Sequence, residues 1–146
     1  AYMVLANGGV LKPITIRRRE ELPRGERVLP SDVVGQINQM LEHVVVKGTG
    51  QRARLPSYRV AGKTGTAQRA SSECGCYDDT FTVSFAGFAP ADDPRFTVYV
   101  VVQNPRNGGG GGSVAGPAFS QIMGYALRRY AVPPTSTKPS DLPVEW

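Results

Sequence analysis

Two apolar segments separated by a short turn constrain this sequence more than any other feature. Residues 80–89 are rich in Phe, Val and Thr, and residues 95–103 form a nearly continuous apolar run. The Asp-Asp-Pro sequence at 92–94 is typical of a turn. The pattern predicts two antiparallel strands joined as a hairpin. Because the second segment is apolar at almost every position, it is predicted to be buried on both faces.

Helices are predicted on either side of this hairpin. Apolar residues recur at spacings of three and four from Val33 to Val45, which is typical of a helix with one buried face, and Ser31 or Asp32 is the expected N-cap. A second helix is predicted at 114–130. Its expected apolar side consists of Phe119, Ile122, Met123, Tyr125, Ala126 and Leu127. Strands followed by a covering helix favour an α+β fold with an antiparallel sheet under helices.

The remaining segments give weaker signals. Residues 58–69 predict a third strand, and residues 2–9 read as the end of a helix. Residues 10–18 predict a short strand that Pro13 confines to a sheet edge, since proline cannot donate a ladder hydrogen bond. Residues 104–112 contain five consecutive glycines and predict a flexible loop.

Composition excludes several classes of protein. Of 146 residues, 40% are hydrophobic and 20% charged, which is typical of a globular chain and not of a disordered one. The formal net charge is +5, but no basic stripe alternates with aromatic residues, so no nucleic-acid partner is expected. No run of 18 apolar residues occurs, which excludes a membrane-spanning helix. We expect that the chain is cut from a longer protein, because the first predicted helix lacks its beginning.

The predicted strand at 58–69 contains Lys63-Thr64-Gly65-Thr66. Glycine weakens a strand unless a ligand must approach the backbone closely, and the adjacent lysine and threonines supply a positive charge and hydroxyl donors. This combination suits an edge strand that captures a peptide and anchors a carboxylate. A phosphate-binding loop is excluded, because Ser57 stands where that motif needs glycine and no helix follows. A surface strand with a chance Lys-Thr-Gly remains an alternative.

Both cysteines lie in Cys74-Gly75-Cys76. No histidine is near them and a zinc site needs four ligands, so no metal site is predicted. A local disulfide is one interpretation and would indicate an oxidising compartment. Two free thiols are the other.

The surroundings of the motif resemble those in class B penicillin-binding proteins of the cell-division type. Residues 59–68, Arg-Val-Ala-Gly-Lys-Thr-Gly-Thr-Ala-Gln, are similar to the third active-site motif of that family. Matching segments occur in the family's order at 1–9, 40–45, 48–50, 84–90 and 112–119. The resemblance covers residues 1–130 and implies the C-terminal part of a transpeptidase domain with the penicillin-binding and serine β-lactamase-like fold. Residues 131–146 form a proline-rich tail with no assigned function. Where relatives carry Tyr-Gly-Gly, this chain has its glycine run.

The resemblance implies a peptidoglycan D,D-transpeptidase that cross-links stem peptides through a serine acyl-enzyme and binds β-lactams. Lys63 and Thr66 are the implied catalytic residues: Lys63 supplies positive potential, and the Thr66 N–H is one oxyanion donor. Thr64, Gly65 and Thr66 are the implied substrate-binding residues. Arg69 and Tyr77, which flank the next loop, are also candidates for substrate contact. No cofactor and no metal are implied.

The sequence contains neither the Ser-x-x-Lys nor the Ser-Asp-Asn-type motif of this chemistry. We therefore expect the intact protein to be the enzyme and this chain alone to be inactive, with the nucleophile in a missing N-terminal portion. That portion, the stem peptides, β-lactams and division proteins are the expected partners. The resemblance also implies an extracytoplasmic protein, anchored in the membrane by an N-terminal segment absent from this chain. The alternative function is a non-catalytic module that binds peptidoglycan, β-lactams or a division complex.

Overall fold

Three helices and five strands make up a computed structural model that describes residues 1–21, 23–106 and 108–135. The helices are α1 (Tyr2–Ala6), α2 (Ser31–Val46) and α3 (Gly111–Arg129), with a short 3₁₀ helix at Gln51–Ala53. The strands are β1 (Val10–Leu11), β2 (Glu26–Arg27), β3 (Ala61–Ala70), β4 (Tyr77–Ala89) and β5 (Phe96–Gln103).

The main sheet has the antiparallel order β3-β4-β5. Thr64 pairs with Phe85, and Phe85 pairs with Val100. Residues paired in this way point to the same face of a sheet. Phe85 and Val100 belong to the hydrophobic cluster that α3 covers, so we call this side the helix face. The opposite side carries Lys63, Ala86 and Tyr99, and we call it the open face.

The hydrophobic core lies between the helix face and α3. Phe85 and Phe119 meet edge to face with ring centroids 4.7 Å apart. Met123 and Leu127 follow Phe119 at spacings of four and are fully buried, which is the stripe that an amphipathic helix presents to a sheet. Val45 of α2 completes this core. The predicted α+β fold, an antiparallel sheet covered by helices, is confirmed.

Several predicted details are wrong. Strand β5 is not buried on both faces, because Tyr99 and Val101 are exposed on the open face and Tyr99 retains 66% of its accessible surface. The strand predicted at 10–18 is limited to Val10–Leu11, which among the described residues pairs with the two residues of β2 alone. Beyond it Ile14 is 81% exposed, so the alternation there has no surface to pack against.

The helix boundaries also differ from those predicted. Helix α2 begins at Ser31 with Pro30 as its N-cap, so neither Ser31 nor Asp32 caps it. Helix α3 begins at Gly111, inside the segment predicted as a flexible loop. Two residues of its predicted apolar side, Ile122 and Tyr125, are exposed. The tail predicted at 131–146 lies outside the described residues from position 136 onward. None of the described helices has the length and apolarity needed to cross a bilayer.

Candidate active site

Residues 63–66 lie in the middle of β3, which forms an edge of the main sheet. Among the described residues, β3 pairs with β4 alone, so its outer edge is not part of a ladder. Lys63 is opposite Ala86, and its side chain starts on the open face. Such an edge offers unpaired backbone groups to a ligand that binds as an added strand.

The Lys63 side chain curves around this edge, so that its ammonium reaches the next residue, Thr64. Its Nζ donates to both the carbonyl oxygen and the hydroxyl Oγ1 of Thr64, at 3.1 Å in each case. Because Lys63 and Thr64 start on opposite faces, and β4 occupies the inner edge of β3, this contact runs around the outer edge. The positive charge of Lys63 is therefore held at the free edge of the sheet.

A second hydroxyl reaches Thr64 from the turn that follows α2. The Oγ1 atoms of Thr49 and Thr64 lie 2.9 Å apart, a hydrogen bond in which either can donate. The sequence indicated a turn at 48–50 but gave no role to Thr49. Its partner lies 15 positions away, and no short-range pattern marks such a contact.

The first residues of α3 pack directly on the motif strand. The Gly111 N–H points at Thr66 Oγ1, with 3.4 Å between nitrogen and oxygen. A Cβ atom at Gly111 would lie 2.1 Å from the Ser84 carbonyl oxygen and 2.7 Å from that of Gly65. A Cβ atom at Gly112 would lie 2.1 Å from the Thr49 carbonyl oxygen. These two positions therefore require glycine, because neighbouring backbones come very close to them. The sequence alone did not predict this packing.

Gly65 has a packing role of its own. A Cβ atom there would lie 2.6 Å from Ser84 Oγ on β4, in addition to the approach of Gly111 from the helix face. The glycine of the motif thus lets two neighbouring elements come close to the strand, besides leaving its edge clear.

Two clefts flank the motif. One, of about 520 Å³, lies on the open face and is lined by Lys63, Thr64 and Gly65 together with the start of α1 and with residues of β4 and β5. The other, of about 380 Å³, lies between Thr66, the start of β4 and the glycine loop. Motif residues therefore border a cavity on each side. Within the described ranges, no group of three His, Cys, Asp or Glu side chains could hold a metal ion.

Arg69 and Tyr77 lie near the tip of the β3–β4 hairpin. The pairing register shifts between Gln68 and Ala70, so Arg69 lies at an irregular position, and Tyr77 pairs with Ala70 and is 70% exposed. Arg69 lies six positions after Lys63 along the strand, a distance of about 20 Å. Neither residue lines a cleft that contains the motif. Their contact with substrate remains a prediction.

Cys74 and Cys76 form a disulfide at the same hairpin tip, with Cα atoms 5.2 Å apart. Nearby, the Asp78 carboxylate accepts hydrogen bonds from the hydroxyl and the backbone N–H of Thr80. These bonds, the hydroxyl's first, hold the pKa of Asp78 below its usual value, and the charge of Arg69 adds to the shift.

A buried ion pair fixes the start of the motif strand. Arg59 donates two hydrogen bonds to Glu42 of α2, from Nε at 2.5 Å and from a terminal nitrogen at 2.7 Å. Its other terminal nitrogen lies 3.9 Å from Asp92 in the β4–β5 turn. The hydrogen bonds to Glu42 raise the pKa of Arg59 above its already high ordinary value. The strand entering the motif is thus tied to a helix and to a turn.

Comparison with known proteins identifies the family to which this arrangement belongs. The model for the penicillin binding protein transpeptidase domain matches residues 1–124. The chain therefore belongs to the penicillin-binding protein transpeptidase family, and the resemblance to its class B members is confirmed.

Curated proteins similar to this chain have names from the same family. The chain is 39% identical to a probable peptidoglycan D,D-transpeptidase, PbpC, of Pseudomonas aeruginosa over 142 residues, which cover 96% of this chain and 25% of that protein. It is 38% identical to penicillin-binding protein PbpB of Mycolicibacterium smegmatis over 152 residues, covering 90% of this chain and 24% of that protein. The chain spans about a quarter of the length of the curated relatives it matches.

A solved structure shows the same fold. The transpeptidase domain of Burkholderia pseudomallei penicillin-binding protein 3 superposes with a TM-score of 0.81 at 39% sequence identity. The match covers 94% of this chain and 42% of that one. The described elements therefore have the arrangement of a penicillin-binding transpeptidase fold.

Proposed function

We propose that this chain is the C-terminal portion of the transpeptidase domain of a peptidoglycan D,D-transpeptidase. In this proposal, residues 1–130 form one wall of the active site, and the serine nucleophile comes from a portion of the protein with a Ser-x-x-Lys motif, which this sequence lacks. The observation that carries the proposal is the Lys63 ammonium at the free edge of β3, bound to the Thr64 hydroxyl.

The chemistry of that edge suits the carboxylate end of a stem peptide. An ammonium and hydroxyl donors on one strand offer charge-assisted hydrogen bonds to a terminal carboxylate, and the unpaired backbone offers ladder bonds to the preceding peptide. Thr64 and Thr66, two residues apart, point to the same side of β3. In the proposed complex they donate to the ligand carboxylate and amide, while Lys63 raises the local positive potential.

The reaction is acyl transfer. The serine oxygen attacks the carbonyl of the penultimate D-alanine, the peptide bond to the terminal D-alanine breaks, and that D-alanine leaves as the free amino acid. The amine of a neighbouring stem then attacks the ester, forms the cross-link and releases the serine. The Thr66 N–H donates to the oxyanion in both steps; removing one such donor costs about 3–4 kcal/mol of barrier in another serine enzyme.

β-Lactams fit the same proposal, since they present a carboxylate beside a reactive amide and acylate the serine. The relatives' names, penicillin-binding protein and D,D-transpeptidase, support it. We infer an extracytoplasmic location, which the disulfide between Cys74 and Cys76 supports because disulfides persist in oxidising compartments. Anchoring in the membrane and contact with division proteins belong to the same proposal.

Labelling with a fluorescent penicillin tests the proposal. After denaturing electrophoresis, this chain alone is expected to carry no covalent label, because it lacks the Ser-x-x-Lys motif that carries the activated serine. The intact protein is expected to be labelled on its Ser-x-x-Lys portion. Covalent label on residues 1–146 alone would contradict the assignment of the nucleophile. Binding by the intact protein without covalent label would instead support a non-catalytic binding module.

A further inference from the structure

We propose that Thr49 is a positioning residue that keeps the Thr64 hydroxyl oriented to donate its proton to a ligand carboxylate. The inference rests on the proposed function, in which Thr64 contacts that carboxylate. Thr49 does not contact the ligand in this proposal; it acts through Thr64.

The hydrogen bonds at Thr64 limit what its hydroxyl can do. A hydroxyl has one proton and two acceptor lone pairs, whereas an ammonium can only donate. Lys63 Nζ lies 3.1 Å from Thr64 Oγ1 and therefore occupies one lone pair. Thr49 Oγ1, 2.9 Å away, is the second partner. If Thr64 donates to Thr49, its proton is used and the hydroxyl has none left for a ligand.

The opposite orientation leaves the proton available. When Thr49 donates, both lone pairs of Thr64 are occupied, one by Lys63 and one by Thr49. The Thr64 proton then has no acceptor in this group of three and points away from both donors. A carboxylate accepts but does not donate, so its arrival favours this orientation. Thr49 thereby contributes to carboxylate binding without touching the ligand.

The turn that carries Thr49 is held on three sides. The Gly50 N–H donates to the Val44 carbonyl oxygen at 2.9 Å, which continues the end of α2. A Cβ atom at Gly50 would lie 3.1 Å from the Phe85 ring, so the turn sits on the core. The Thr49 carbonyl faces Gly112, where a Cβ atom would lie only 2.1 Å away. Such a supported position can fix the direction of a hydroxyl.

Two substitutions in the intact protein separate hydrogen bonding from shape. Thr49→Val keeps the branched shape and removes the hydroxyl, and Thr49→Ser keeps the hydroxyl and removes a methyl group. The measurement is the second-order rate constant of acylation by a penicillin with a free carboxylate and by its methyl ester, which carries no charge there. Thermal unfolding of each variant checks that it folds.

The proposal expects a loss that depends on the carboxylate. Thr49→Val should slow acylation by the free acid about tenfold, equivalent to about 1.4 kcal/mol, and acylation by the ester less than twofold. Thr49→Ser should restore most of the rate. An equal loss with both ligands would assign Thr49 a structural role only, and an unchanged rate with the free acid would also overturn the inference.

The same experiment tests the proposed function separately. If the unchanged protein is not acylated, or does not prefer the free acid to the ester, then the proposed function fails whatever Thr49 does. If the unchanged protein is acylated with that preference and Thr49→Val retains it in full, only the role of Thr49 fails.

Discussion

Arg59 donates two hydrogen bonds, 2.5 and 2.7 Å long, to the carboxylate of Glu42. This ion pair joins the segment just before β3 to the last turns of α2. Glu42 is only 2% exposed. A carboxylate this deep in the protein is tolerated when a cation and hydrogen bonds compensate for its lost hydration. The pair joins the helix to the start of the motif strand.

Removal of Arg59 should therefore destabilise the domain strongly. Arg59→Met keeps much of the side-chain volume but leaves Glu42 without this cation, which typically costs about 3–5 kcal/mol in buried pairs. We expect a value near the lower end, because the Arg59 side chain is 22% exposed. Urea unfolding of the intact protein measures the change. Arg52→Met, on the exposed surface of the 3₁₀ helix, is the matched control and should change the free energy of unfolding by less than about 0.5 kcal/mol.

Lys63→Ala should abolish acylation by penicillin while leaving the fold intact. The side chain is exposed, and its two contacts are to the adjacent residue Thr64, so little packing is lost. The acylation rate and the unfolding temperature are measured on the same preparation. Lys47→Ala removes another exposed positive charge, at the end of α2, and should leave the rate unchanged. Acylation of the Lys63 variant at the original rate would remove this lysine from the site.

Neighbouring glycines should differ sharply in their tolerance of alanine. Gly111→Ala places a methyl group 2.1 Å from the Ser84 carbonyl oxygen, so the start of α3 must move away from β3 and β4. At Gly110 the nearest atom, Thr66 Oγ1, is 3.5 Å away, an ordinary contact. We expect Gly111→Ala to lower both stability and acylation, and Gly110→Ala to have little effect on either. Equal effects at the two positions would contradict the packing described here.

The pH dependence of stability should include a contribution from Asp78. Hydrogen bonds from Thr80 lower its pKa in the folded state. Its contribution is therefore fully present above the unfolded value of about 3.9 and is lost as the pH falls through the lower folded value. Urea unfolding is measured between about pH 6 and about pH 2. The free energy of unfolding should fall less steeply with acid for Asp78→Asn than for the unchanged protein. Asp79→Asn removes the same formal charge one residue away and serves as the control.

Local sequence patterns were enough to predict the helices and strands but not the contacts between them. The hairpin of β4 and β5 and the helical stripe of Phe119, Met123 and Leu127 follow from residue spacing alone. The start of α3 could not be predicted in this way, because glycine is a poor helix former and the reason for Gly111 lies in β3 and β4, far along the chain. Burial of β5 on both faces was likewise inferred from composition, whereas exposure of Tyr99 depends on what covers the open face.

The residues of the candidate site also divide into those that local sequence predicts and those that only tertiary contacts reveal. Lys63, Thr64 and Thr66 could be selected from the sequence, since a cation and hydroxyls beside a glycine in a strand are unusual enough to suggest a ligand. Thr49 and Gly112 could not, because their roles depend on contacts with residues far along the chain. Arg59 could be selected only as part of the motif. Its partner Glu42 has the sequence pattern of an exposed helix residue, and only the structure shows that it is buried.

The glycine run at 108–112 has a consequence for how the gene can change. Gly111 and Gly112, which neighbouring backbones approach closely, end a tract of five identical residues. Loss of any one glycine would still leave glycine at both of these positions and would shorten the loop before them. The repeat thus protects the contact between α3 and the motif strand against the deletion of a single residue.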